Sequence, residues 1–228
     1  MSDIILELEP IDREEAFRYM GFGEKMPDES FIKRVDAVEE KLIKTAKPRF
    51  IWRLMQLSRD ENGICRAGNI KLSGKSITEH LEGCNEAVFM AATLSSHTDM
   101  LISKAGAVSI TDALIADTLA SAGIEQICNK AELLIGQELK DKYITWRFSP
   151  GYGDLPIELQ EDFLSLLDAQ RKIGLTVTDS SMLIPTKSVT AIIGISDRQL
   201  PKKRQGCMLC NMHDSCQFRK KGVHCGNA

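Results

Sequence analysis

What this chain lacks removes several classes of function before any motif is considered. No stretch of the 228 residues approaches the ~18 consecutive apolar residues that a membrane span needs. There is no basic surplus either: 29 Lys and Arg stand against 32 Asp and Glu, a net charge of -3, which is the wrong sign for a general nucleic-acid binder. The opening MSDIILELEP has neither the basic nor the apolar region of a signal peptide. Internal repeats and low-complexity segments are missing as well. The expectation is a cytoplasmic protein with no nucleic-acid or membrane partner, whose seven cysteines are thiols or metal ligands rather than disulfides.

The chain is long enough to bury ~70–75% of its extended surface in one domain. Ile4 to Leu8 reads as a short strand, and Asp12 caps a helix over Arg13 to Tyr19 that Gly21 and Gly23 stop. Ile32, Val35, Val38, Leu42 and Ile43 recur at helical spacing within Ser30 to Ala46, with Pro48 as the stop. Phe50 to Leu57 reads as a strand, followed by a hairpin around Ile64 and Ile70 to Leu72 and a short helix over Ser76 to Leu81. The unbroken apolar run Ala87 to Leu94 predicts a central strand buried on both faces. Asp99 to Gly136 is helical, and Gly123 inside it permits close packing or the approach of a ligand. Ile157 to Ile173 reads as one helix with Phe163, Leu164, Leu166, Leu167 and Ile173 inward, and Val189 to Ile195 as a last strand. Elements in runs predict an α+β fold: a mixed or antiparallel twisted sheet with helices packed on one side, as a single domain followed by a cysteine-rich tail.

The densest chemistry lies in RFSPGYGDLP, Arg147 to Pro156. Arg147 follows the strand-like residues Tyr143, Ile144 and Trp146, where a guanidinium fork can grip a carboxylate in two places. Pro150-Gly151 forces a tight turn, and Gly151 and Gly153 let the backbone approach a ligand. That combination suits a small zwitterion. Turn chemistry alone equally allows an ordinary strand-to-helix connection with a solvated arginine.

This turn, the helix after it and TDSSMLIPTKSVTAIIGIS, Thr178 to Ser196, together resemble the activation, or reactivation, domain of cobalamin-dependent methionine synthase. That family has an arginine ahead of Pro-Gly-Tyr, then a helix, a Thr-acidic-Ser turn, and a proline shortly before a Ser-Val pair, as Pro185 precedes Ser188 and Val189 here. The match covers roughly residues 110 to 196. RYMGFG near Arg18, AKPRFIWRL near Pro48 and AATL near Thr93 look like the short, free-standing version of the family. The resemblance implies domains of 1–196 (activation-like) and 197–228 (tail), and the same α+β fold.

The resemblance also implies reductive methylation. An activation domain binds S-adenosylmethionine so that cob(II)alamin carried by a partner can, with one electron, take the sulfonium methyl group. The work needed is positioning rather than acid–base chemistry. Carried over by motif, Arg147 binds the ligand carboxylate, Ser149, Pro150 and Gly151 contact the ligand, and Tyr152 packs against it or faces the corrinoid. The family's carboxylate for the amino group falls at Ser121 here, and Glu125, one turn along, is its candidate replacement. The family's tyrosine after the last strand has no counterpart, since the chain runs into Asp197 and Arg198. The implied partner is a cobalamin-dependent methionine synthase lacking its own activation domain, or another corrinoid protein, with a flavodoxin or ferredoxin-type electron donor.

Cys207, Cys210, Cys216 and Cys225 crowd the tail beside His213 and His224. Soft thiolates in that density fit an iron-sulfur cluster or zinc and exclude magnesium and calcium. The irregular spacing lacks the paired knuckles of a zinc ribbon, and redox work beside cobalamin suits a cluster, though spacing does not decide. Lys202, Lys203, Arg204, Arg219, Lys220 and Lys221 flank these cysteines, where they either dock an acidic electron carrier or merely solvate the tail. Cys65, Cys84 and Cys128 read as small buried hydrophobes. The primary reading is an accessory activation protein. A docking module without S-adenosylmethionine, and a zinc-binding structural or regulatory protein, are the alternatives.

Overall fold

The computed structural model describes residues 4–22, 27–61 and 63–200. Capping starts the first helix where the sequence predicts. Asp12 accepts amides of Glu14 and Glu15 at the head of α1 (Arg13–Met20), and Gly21, in the left-handed region, closes it. Asp28 caps α2 (Glu29–Thr45), which buries Val35, Val38 and Leu42.

A long strand, β2 (Arg49–Arg59), carries β1 (Ile4–Ile5) on its first residues and β3 (Cys65–Ala67) on its last, with β4 (Ile70–Leu72) beyond β3. Beside β2 lies β5 (Glu86–Thr93), then β9 (Ser188–Ser196), then the short edge strand β6 (Tyr143–Ile144), giving the order β4-β3-β2-β5-β9-β6. Every pairing among the described strands is antiparallel. The unbroken apolar run of β5 is explained by this position: it is central, and all of its residues after Glu86 are buried.

Helices cover both faces of the sheet, not one. Phe50, Val88, Met90, Ala191 and Ile193 face a core closed by α1, α2, α4 (Ser96–Val108) and α5 (Ile110–Glu138). Their alternates Ile51, Phe89, Ala91 and Ile192 face a second core under α3 (Lys75–His80), α6 (Gln160–Leu167) and α7 (Ala169–Ile173). The period-2 alternation of strand side chains requires this once a strand is apolar at every position.

The single helix predicted over Ile157 to Ile173 is three pieces: a 3-10 turn at Ile157–Leu159, then α6, then α7. Asp168, with φ 56°, breaks it, and its backbone N–H closes α6 on the carbonyls of Leu164 and Ser165. Leu166 accordingly lies at the margin of the core while Phe163, Leu164, Leu167 and Ile173 are buried. A two-stranded hairpin absent from the sequence reading, β7 (Thr176–Val177) with β8 (Leu183–Ile184), carries the Thr178-Asp179-Ser180 turn. Gly123 serves packing: a Cβ there would come within 3.3 Å of Leu8. No described helix is long and apolar enough to cross a membrane.

Candidate functional site

The site is built where an irregular edge strand passes the long helix. Ile144 pairs with Ile195 but Phe148 pairs with Ile192, so the outer chain spends one residue more than β9 over the same span. That extra residue is a β-bulge, and it switches which face each later side chain meets. Thr145 reaches His80 Nε2 at 3.0 Å and Trp146 stacks edgewise on the His80 ring at 4.6 Å, both toward the second core. Phe148 is buried on that same side, and Arg147 between them turns to the α5 face.

There α5 presents a line of polar residues in an otherwise apolar helix. Arg147 Nη1 donates to Asn129 Oδ1 at 2.9 Å and to Glu132 Oε2 at 2.8 Å, and Nη2 donates to Glu125 Oε2 at 3.0 Å. A guanidinium has five N–H donors, so the Nε–H and one Nη2–H of Arg147 have no partner among the described residues. The arginine is therefore not the loosely solvated fork of a connecting loop. Its side chain is only 18% exposed, and the two carboxylates fix it from one side.

Burial raises the Glu132 carboxyl above its ordinary range, against the opposing pull of Arg147. Burial also pushes the Cys128 thiol beneath this line up to about 12, so it is no nucleophile at neutral pH. Cys65, Cys84 and Cys128 are all buried, as the sequence reading has them. On α1, Tyr19 donates to Glu15 Oε1 at 2.8 Å, and burial with that carboxylate raises its phenol well above the usual value.

The turn after Arg147 is rigidly anchored. Tyr152 N donates to Ser149 O at 3.0 Å, with Pro150 second and Gly151 third at φ 90°, the pattern of a type II turn. Gly153 follows at φ 54°, where a Cβ would stand 2.5 Å from Ser76 Oγ, so only glycine fits against α3. Asp154 then accepts the amides of Lys75 at 2.7 Å and Ser76 at 2.9 Å. Pro150 and Leu155 are buried, while Tyr152 is 56% exposed with its edge toward Phe148.

The structure thus brings Arg147 and Glu125 into contact and sets Ser149, Pro150, Gly151 and Tyr152 on the turn that follows. Asn129, Glu132 and Lys187 were missed. Lys187 Nζ lies 2.9 Å from Ser121 Oγ and 2.8 Å from Asp117 Oδ1, so Ser121 already has a cationic partner. For Asn129 the available signal was the four-residue spacing of Asp117, Ser121, Glu125 and Asn129, one helix face.

A cavity of about 610 Å³ elsewhere, between β1, the end of α2 and the start of α4, is lined by residues such as Arg49, His97 and Pro185, and by none of those assigned to the turn. Among the described residues no cluster of His, Cys, Asp and Glu could hold a metal ion. Cys207, Cys210, Cys216 and Cys225 lie outside the described residues.

Residues 103–199, from α4 through the last strand, match the family described as vitamin B12 dependent methionine synthase, activation domain. That stretch, 97 of the 228 residues, is similar to the activation-domain family. It holds the whole α5 line, the bulge, the turn and Lys187. The fold agrees over almost the whole chain: the crystal structure of the MetH reactivation domain bound to AdoHcy superposes with a TM-score of 0.65, covering 98% of this chain and 86% of that one at 15% identity. Comparison with curated proteins finds no match. The activation-domain stretch and the resemblance read from the sequence therefore coincide where the Arg147 turn lies.

Proposed function

We propose that this chain binds S-adenosylmethionine at Arg147 and Glu125 and supports reductive methylation of cob(II)alamin carried by a separate methyltransferase of the methionine synthase kind. The observation that carries this is the state of Arg147 inside an activation-domain stretch: three donors are spent on α5, and two N–H groups remain to receive a carboxylate. A guanidinium fixed beforehand loses little freedom on binding, which favours affinity. Glu125, 41% exposed and bonded to Arg147 through one oxygen, is placed to take the ligand's ammonium group through the other.

No general acid or base is required of these residues. The sulfonium methyl passes to the reduced cobalt while S-adenosylhomocysteine leaves with the electron pair of the broken bond. The chain's contribution is to hold the ligand so that its methyl group faces the partner. Tyr152, exposed on a turn pinned by Asp154, is the side chain placed to meet the corrinoid or its protein. One electron comes from a flavodoxin or ferredoxin-type donor, and Cys207, Cys210, Cys216 and Cys225 would hold an iron-sulfur cluster or zinc.

Calorimetric titration of S-adenosylmethionine tests it. Arg147→Ala should weaken binding by about 1 to 3 kcal/mol through loss of charged hydrogen bonds, and Arg147→Lys, which keeps the charge but not the fork, should recover little of it. Unchanged affinity in both folded variants would remove Arg147 from the site.

A further inference from the structure

The polar line of α5 holds a second partly buried cation that the ligand reading does not use. Lys187 is the residue before β9, and its side chain is only 13% exposed. Its backbone is fixed from both sides. Leu94 N donates to Lys187 O at 2.9 Å, and Thr186 donates through its amide and its hydroxyl to Asp99, at 2.8 Å each. The ammonium is thereby delivered to Asp117 and Ser121 with little freedom to wander.

The charges along this line do not cancel. Asp117, Glu125 and Glu132 face Lys187 and Arg147, which leaves one carboxylate in excess. On α1, Glu15 and Arg18 pair with each other at 3.0 Å. Glu125 sits between the two cations, one helix turn beyond the Ser121 that Lys187 holds.

We propose that Lys187 sets this balance and so determines how strongly the Arg147–Glu125 site prefers a sulfonium ligand over its neutral thioether product. The proposal rests on the reading of that site given above. S-adenosylmethionine and S-adenosylhomocysteine share the adenosyl group, the carboxylate and the ammonium, and differ by one methyl group and one positive charge. A net negative line of side chains attracts that charge, and Lys187 moderates the attraction. With Lys187 in place, the preference for the sulfonium over the spent thioether is kept modest.

For a sulfonium on the order of 10 Å from the Lys187 ammonium, with an effective dielectric between about 25 and 50, removing one unit charge changes binding by about threefold to tenfold. The test is calorimetric titration of both ligands into the wild-type chain, Lys187→Met and Lys187→Arg, at low and high salt. Lys187→Met should tighten S-adenosylmethionine relative to S-adenosylhomocysteine by about threefold to tenfold, and the gain should shrink as salt screens it. Lys187→Arg should leave the ratio near wild type. A merely structural tether would change both affinities by the same factor, and that result overturns the proposal. Asp117→Asn reads the same balance with the opposite sign, relative weakening of the sulfonium, and serves where Lys187→Met does not fold. Absence of binding of either ligand to the wild-type chain would instead sink the site reading itself, and this inference with it.

Discussion

The two faces of the sheet handle their buried polar groups in opposite ways. On the face under α6 and α7 polar side chains of the interior close on each other: Thr190 Oγ1 donates to Gln160 Oε1 at 2.7 Å, and the half-buried Thr145 meets His80 at 3.0 Å. On the α5 face the line beside β6 and β9 is ionised, and it comes within reach of solvent at the sheet's edge, as Arg147 and Lys187 do. Desolvating a neutral pair costs little once it is hydrogen-bonded, whereas a buried ion needs partners and leaves residual charge when partners and ions do not match in number. The second core can therefore be sealed, and the α5 face keeps a charged margin that a ligand can use.

The largest effect that would separate the two faces is a cavity in the sealed one. Phe163 is fully buried, with its ring 5.0 Å from that of Phe89. Phe163→Ala should cost about 3 to 5 kcal/mol in urea unfolding, yet leave the proposed binding of S-adenosylmethionine near its wild-type level while the protein remains folded. A matching loss of affinity would mean that the faces are not independent. Thr190→Val is next in size. It fills the same volume but leaves Gln160 Oε1 buried without its donor, which should cost about 1 to 3 kcal/mol, again with no effect on ligand binding.

The same division governs what the sequence could disclose. Capping and periodicity placed α1, α2, β5 and β9 within a residue or two, because Asp12, the apolar spacing of α2 and the apolar run of β5 act locally. The break at Asp168 was invisible, since nothing in the pattern of Phe163 to Ile173 interrupts helical spacing and only the left-handed φ of one aspartate divides it. At the site, Pro150-Gly151 and the glycine at 153 announce a turn. The direction of Arg147 is not local: it depends on a bulge defined against β9, whose register a single chain segment does not encode. Lys187 was hidden for a similar reason, because its partners lie 66 residues or more away along the chain. The four-residue spacing of polar residues on α5 is local, but that the face they form seats two partly buried cations is not.

The smallest predicted effect is a pH slope that only the charged face should produce. Burial holds the Glu132 carboxyl above its ordinary value in the folded chain, while the unfolded chain restores that value. Between the two values the folded state binds the proton more tightly, so the unfolded state carries fewer protons and stability falls as pH rises. Below the unfolded value both states are protonated, and the group's contribution is fully present; it is lost as pH climbs through the folded value. Glu132→Gln keeps the shape and cannot titrate, so its unfolding free energy should lack this mildly acidic slope, with the difference read from urea midpoints taken between about pH 4 and pH 7. Thr190→Val, on the neutral face, should shift stability by the same amount at every pH. An equal slope in wild type and Glu132→Gln would show that Arg147 offsets the burial of this carboxylate completely, and that the α5 line is as well balanced as the sealed core.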